Sequence, residues 1–173
     1  MANQTEYIIS DYSTTNATSS DNESWRLVTD QVMGGISSGE VVITEKNGRR
    51  CLNLRGDVKL ENNGGFVQTT YSINQDISNA VPEYSGLFLD IYGNDENYNI
   101  HLRTHNMWLP WQSYRATFMA ESQWQSLRIS FEDFKSYRIA KPLDIHQLKR
   151  IGIVAIGREF SADLCIGRIG LYR

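Results

Sequence analysis

The chain has 173 residues, a formal net charge of −3 and a pI near 5.6. That length fits a single domain over 1–173, large enough to bury roughly 70% of the extended chain's surface without staples. The acidic balance argues against a general nucleic-acid binder. No apolar run approaches the roughly 20 residues needed to span a bilayer, so neither nucleic acid nor membrane insertion is expected.

The opening MANQTEYIISDYS lacks a basic stretch followed by an apolar one, so a secretory signal is not expected and a cytoplasmic location is. An edge strand is expected at Glu6–Ser10, followed by a polar segment, 13–24, that reads as a mobile loop. From there the periodicity is that of strands. They are expected at 25–30, 40–45, 50–55, 57–61, 66–72, 86–92, 97–104, 112–119, 124–130, 149–156 and 163–172. Asn47-Gly48 between VVITEK and RRCLNL predicts a hairpin, because both central residues of a type I′ turn need positive φ. Helix is scarce. Asp144 can cap a turn over Leu143–Leu148, with Gln147 bonding back and Leu143 packing on Leu148; a similar turn is expected at Ser130–Phe134. Many short strands separated by turns give an all-β fold, and we favour a sandwich over a barrel.

Cys51 and Cys165 both sit in apolar strand-like runs and are expected to be buried, reduced thiols acting as small hydrophobes. Gly35-Ile36-Ser37-Ser38-Gly39 matches the G-x-S-x-G nucleophile pattern, which requires a strand–turn–helix context. Here it leads into Glu40–Thr44, which reads as strand, so a glycine-serine turn is expected instead. A phosphate cradle fails for the same reason, since no helix N-terminus follows. His101, His105 and His146 form no ligand motif, and no cofactor or metal is assigned. Calcium remains open at Asp90, Asn94, Asp95 and Glu96, which cluster as oxygen donors at one loop.

The strand 97–104 alternates: Tyr98, Ile100 and Leu102 are expected to face the core, with Asn99, His101 and Arg103 on the other face. That polar row runs into Trp108-Leu109-Pro110-Trp111. These tryptophans either cover the end of the core or form a recognition surface beside His101 and Arg103, with Gln68, Tyr114 and Arg115 joining if their strands are neighbours.

Paired glycines mark two blocks, Asp30-Gln31-Val32-Met33-Gly34-Gly35-Ile36-Ser37 after Trp25, and Asn62-Asn63-Gly64-Gly65-Phe66. With Gly56, Tyr98 to Arg103, Tyr114, Phe118, Trp124, Phe131–Phe134, Leu143-Asp144 and Ile151-Gly152-Ile153, these resemble the complex I intermediate-associated protein family over roughly 25–171. The resemblance implies a galactose-binding-like jelly-roll β-sandwich and a non-catalytic assembly or scaffolding role. Asp30, Met33, Gly34, Gly35, Asn63, Gly64, Gly65 and Phe66 are then expected to shape two loops, Asp30 and Asn63 bonding amides while Met33 and Phe66 plug the sandwich end. The leading expectation is a protein-binding assembly factor or adaptor using Trp108, Trp111, His101, Arg103 and Tyr114. A carbohydrate-binding module is the alternative, and an enzyme of unrecognised type using His101 with Asp30 or another carboxylate the third reading.

Overall fold

The structure, a computed structural model, describes residues 5–14 and 25–173 apart from the side chain of Asn63. Most of the expected mobile loop at 13–24 therefore lies outside the described residues. The strands are β1 (Glu6–Asp11), β2 (Trp25–Thr29), β3 (Ser38–Lys46), β4 (Arg49–Val58), β5 (Phe66–Ser72) and β6 (Gly86–Tyr92). They continue as β7 (Glu96–Thr104), β8 (Ser113–Ala120), β9 (Gln125–Ser130), β10 (Lys135–Tyr137), β11 (Leu148–Ile156) and β12 (Phe160–Tyr172). One α-helix, α1 (Gln75–Ala80), lies between β5 and β6.

The strands form two antiparallel six-stranded sheets. The first runs β3-β4-β12-β6-β9, with β1 also pairing β12; the second runs β10-β8-β7-β11-β5-β2. Alternation sorts their side chains. On β7, Tyr98, Ile100 and Leu102 are buried, and on β11 Ile151 and Ile153 join them from the neighbouring strand. Leu52, Leu54, Leu164 and Ile166 answer from the first sheet. Each such side chain contributes about 1.5–3 kcal/mol by leaving water. Polar ties also cross between the layers. Trp25 of β2 donates its indole N–H to Ser10 Oγ of β1 at 3.0 Å. The Tyr98 hydroxyl donates to Asn94 Oδ1 at 2.6 Å and accepts from the amide of Asp163 at 2.9 Å. Burial pushes the pKa of that hydroxyl up to about 12, so it stays protonated and able to donate.

The β3–β4 hairpin closes through Asn47 (φ 47°) and Gly48 (φ 79°), with Lys46 opposite Arg49. The expected strands at 50–55 and 57–61 are one strand to Val58, passing through Gly56, where a Cβ would collide with the carbonyl of Ser38. Leu143–Leu148 yields only a 3-10 turn at Ile145–Gln147, with Asp144 accepting from the His146 amide at 3.0 Å. A helix that the pattern did not predict, α1, is capped by Asn74 accepting from the Ile77 amide at 2.9 Å. Six residues are too short to display a helical period.

The cysteines correct the sequence expectation. Cys51 and Cys165 are joined in a disulfide, with Cα atoms 5.4 Å apart across 114 positions of sequence. Both are buried as expected, but they are not free thiols. The expectation rested on compartment alone and did not know that β4 and β12 are neighbours. Cys165 lies opposite Asn53, which puts Cys51 a diagonal step away on the same face. No helix among the described residues is long and apolar enough to cross a membrane.

Candidate functional site

The two glycine blocks meet at one carboxylate. Asp30 is fully buried at the start of a 3-10 turn, Asp30–Met33, whose C-cap Gly34 has φ 86°. Its Oδ1 accepts from the Ser37 amide at 2.9 Å, and its Oδ2 from the Ser37 hydroxyl at 2.5 Å and the Gly65 amide at 2.6 Å. Phe66 adds a longer amide contact at 3.4 Å. A Cβ on Gly35 would come within 2.5 Å of the Asp30 carboxyl, and a Cβ on Gly64 would overlap it as well. The glycines therefore leave room for the acid. Burial pushes the Asp30 carboxyl up, but the hydrogen bonds from Ser37, Gly65 and Phe66 outweigh it and hold the group below the usual carboxylate range.

Ser37 is committed to the same network. It is buried, and its Oγ also accepts from the Lys59 amide at 2.8 Å. The following residues enter β3 directly, so the G-x-S-x-G match is a turn. Met33 is 58% exposed and does not plug the sandwich end. Phe66 is half-buried, and the Asn63 side chain lies outside what is described.

Arg103 and the tryptophan loop form a second construction. Arg103 projects from the outer face of β7, and its Nη1 donates to the carbonyls of Leu109 (3.1 Å), Pro110 (3.0 Å) and Gln112 (2.7 Å). Gln112 reinforces the loop by accepting from the Leu109 amide at 3.2 Å and donating to the Arg138 carbonyl at 3.2 Å. The loop backbone is thus held from below while its aromatics are not. Trp108 is 91% exposed and Trp111 49% exposed; Met107 instead packs against the core. The expected pairing of Arg103 with this loop is present, but as a brace beneath it.

Tyr114 lies elsewhere. It faces the core, 1% exposed, and its hydroxyl donates towards the carbonyls of Lys141 and Pro142 at 2.7 and 3.1 Å. Alternation along β8 explains this, since Tyr114, Ala116 and Phe118 share the buried face while Arg115 and Thr117 take the other. Tyr114 is therefore not available beside Trp108.

The outer face of the second sheet gathers residues far apart in sequence. Register places Arg115, His101, Gly152, Thr70 and Arg26 in one row across β8, β7, β11, β5 and β2. The next row carries Thr117, Asn99, Val154 and Gln68, with Thr117 donating to Asn99 Oδ1 at 2.6 Å. Arg103 and Arg150 are opposite each other on the other side of the first row. Arg115 stacks over the Tyr137 ring at 3.6 Å and donates to Ser113 Oγ at 2.8 Å. His101 Nε2 is buried without a hydrogen-bond partner. Desolvation, with Arg115 beside it, holds the His101 pKa down at about 3, so the ring is neutral. His101 and Asp30 share no hydrogen bond, and no acid–base pair is assembled from them.

The candidate calcium donors are engaged separately. Asp90 takes Arg49, Arg168 and Ser126, Asp95 bonds Ser122, Asn94 bonds Tyr98, and Glu96 pairs with Arg158. Among the described residues, no group of three or more His, Cys, Asp or Glu could hold a metal ion. A concavity of about 720 Å³ lies between β8 and β9, with Met119, Leu127, Arg115 and Lys135 in its walls.

Two facing antiparallel sheets packed on one core define a jelly-roll β-sandwich. The chain belongs to the complex I intermediate-associated protein 30 family, whose sequence profile matches residues 13–166. A search of curated protein sequences returned no match. Among solved structures it is similar to the family 11 carbohydrate-binding module from Clostridium thermocellum in complex with a β-1,3-1,4-mixed-linked tetrasaccharide. That pair shares 13% identity at a TM-score of 0.75, covering 96% of this chain and 95% of the module. A family 30 carbohydrate-binding module of a C. thermocellum cellulosomal cellulase matches at 15% identity and a TM-score of 0.61, covering 86% and 90%. An exo-β-agarase matches at 12% identity and a TM-score of 0.58, with 96% of this chain covering 26% of that one. At such identities the likeness is one of fold.

Proposed function

We propose that this protein is a non-catalytic binding domain that docks a protein partner through the tryptophan loop, as an assembly factor or adaptor. One observation carries the reading: Trp108 is 91% exposed on a loop whose carbonyls are pinned by a single guanidinium. An exposed indole on a fixed backbone is a ready anchor, because little ordering entropy remains to be lost when a partner covers it. The family's name, with its reference to complex I intermediates, supports a protein partner. The test is affinity capture from the native cell with wild type and a Trp108→Ala/Trp111→Ala variant. Loss of a specific partner from the variant supports the reading, and identical recovery removes it.

A second reading has its own support. The outer face of the second sheet offers amides, hydroxyls and guanidinium groups, a set suited to a carbohydrate. The fold shared with carbohydrate-binding modules is compatible with it. As to location, the Cys51–Cys165 bridge favours an oxidising compartment over the expected cytoplasm. A free-thiol count on protein taken from the cell tests that choice.

A further inference from the structure

Ten of the twelve arginines of this protein fall into two groups. The other two, Arg50 donating to the Thr14 carbonyl and Arg138 lying beside Tyr137 and Arg115, also have no carboxylate within 4 Å among the described residues. Arg49, Arg55, Arg128, Arg158, Arg168 and Arg173 each have a carboxylate within 4 Å. Arg26, Arg103, Arg115 and Arg150 have none among the described residues, and all four belong to the outer face of the second sheet. A chain of net charge −3 has acids to spare, yet none is spent here. Arg115 and Arg103 are half-buried. Desolvation holds both below the usual guanidinium range; Arg150 presses the same way on Arg103, while on Arg115 the opposing pull of Tyr137 outweighs the push of Arg138. A cluster that costs stability in the free protein is what an anion-binding face looks like before its anion arrives.

We infer that this face binds an acidic, hydroxyl-rich oligosaccharide, with uronate carboxylates paired to Arg115 and Arg150. The floor between them is short: Gly152 has no side chain, and it separates His101 from Thr70 in the row. Gln68, Asn99 and Thr70 supply the neutral donors and acceptors that ring hydroxyls exchange hydrogen bonds with. Arg115 and Arg26 end the row four strand spacings apart, about 19 Å, which suits an extended chain rather than a single small anion. A nucleic acid fits less well, since the Tyr137 ring on this face is already covered by Arg115 and the exposed indoles of Trp108 and Trp111 stand only at its rim. The tryptophan loop, tied to Arg103, rims one end of the same face.

This inference rests on the carbohydrate reading and adds the charge of the ligand. Isothermal titration at low salt would compare oligogalacturonate, alginate oligomers and glucuronate-bearing xylan fragments. A neutral mixed-linked β-glucan tetrasaccharide, poly-glutamate and single-stranded DNA complete the panel. We expect at least one uronate to bind about tenfold or more tightly than the neutral glucan, poly-glutamate and the DNA. Arg150→Gln and Arg115→Gln should each weaken it about tenfold, the scale of one charge-assisted hydrogen bond. Thermal midpoints of both variants would be checked against wild type, and Gly152→Ala, which presses only on the end of Gln68, serves as a charge-neutral block. Binding of the neutral glucan alone would overturn the inference and leave the carbohydrate reading standing. Silence across all the sugars would remove both. Equal binding of poly-glutamate or DNA, or no effect of the arginine variants, would also overturn it.

Discussion

The carboxyl of Asp30 occupies the space that a side chain on Gly35 would fill, with a built Cβ only 2.5 Å from its Cγ. Gly64 stands in the same relation from the other loop. Acid and glycines are one device, and its hydrogen bonds are buried.

Asp30→Ala would therefore strip acceptors from the amides of Ser37 and Gly65. We expect a loss of about 1–3 kcal/mol, the cost of leaving such groups unsatisfied. Gly64→Ala should also destabilise, because the acid must move to admit the methyl. Urea unfolding of both variants measures the effect; a midpoint unchanged from wild type would remove Asp30 from the architecture.

The same carboxyl gives a pH signature. Its folded pKa lies below its unfolded value of about 3.9. The stabilisation is thus present above that value and is lost as pH falls through the folded pKa. The advantage of wild type over Asp30→Asn should shrink below about pH 4, read from unfolding curves at several acid pH values.

His101 works over a higher range. Its ring has a pKa of about 3 when folded and about 6.5 when unfolded. The unfolded chain takes up a proton that the folded chain refuses, so stability declines as pH drops from about 6.5 towards 3. His101→Gln should flatten that part of the profile, and an unaltered slope would mean the ring is not held neutral.

Arg103→Ala should leave Trp108 and Trp111 in the sequence but free their loop. We expect partner recovery to fall as in the double tryptophan variant. Trp108→Ala alone should change stability by no more than about 0.5 kcal/mol, as befits an exposed site. Thermal melts paired with capture experiments separate these outcomes.

Breaking the Cys51–Cys165 bond should cost about 2–4 kcal/mol, since the bridge closes a long loop of the unfolded chain. Thiol titration in denaturant without reductant should find no free cysteine. Two reactive thiols would restore the sequence expectation.

Much of the fold was legible because it lies in local patterns. Tyr98-Asn99-Ile100-His101-Leu102 alternates, and Asn47-Gly48 carries its own turn geometry. What stayed hidden depends on which strands become neighbours. Arg26, Arg103, Arg115 and Arg150 look like scattered surface charges until register brings them together. The disulfide was missed for the same reason. The burial of Tyr114, by contrast, follows from the period of β8 and could have been read by counting from Phe118. Lys135–Tyr137 is exposed at every position, so β10 leaves no apolar trace to read.

The bridge from Cys51 to Cys165 encloses the tryptophan loop within its span. A protease that cuts between Trp108 and Gln112 would leave two pieces still covalently joined. The nicked molecule would migrate near its intact size without reductant and separate only once the thiols are released. A cut in the tryptophan loop would then go unnoticed in an oxidising setting, with the two pieces still joined through neighbouring strands of the first sheet.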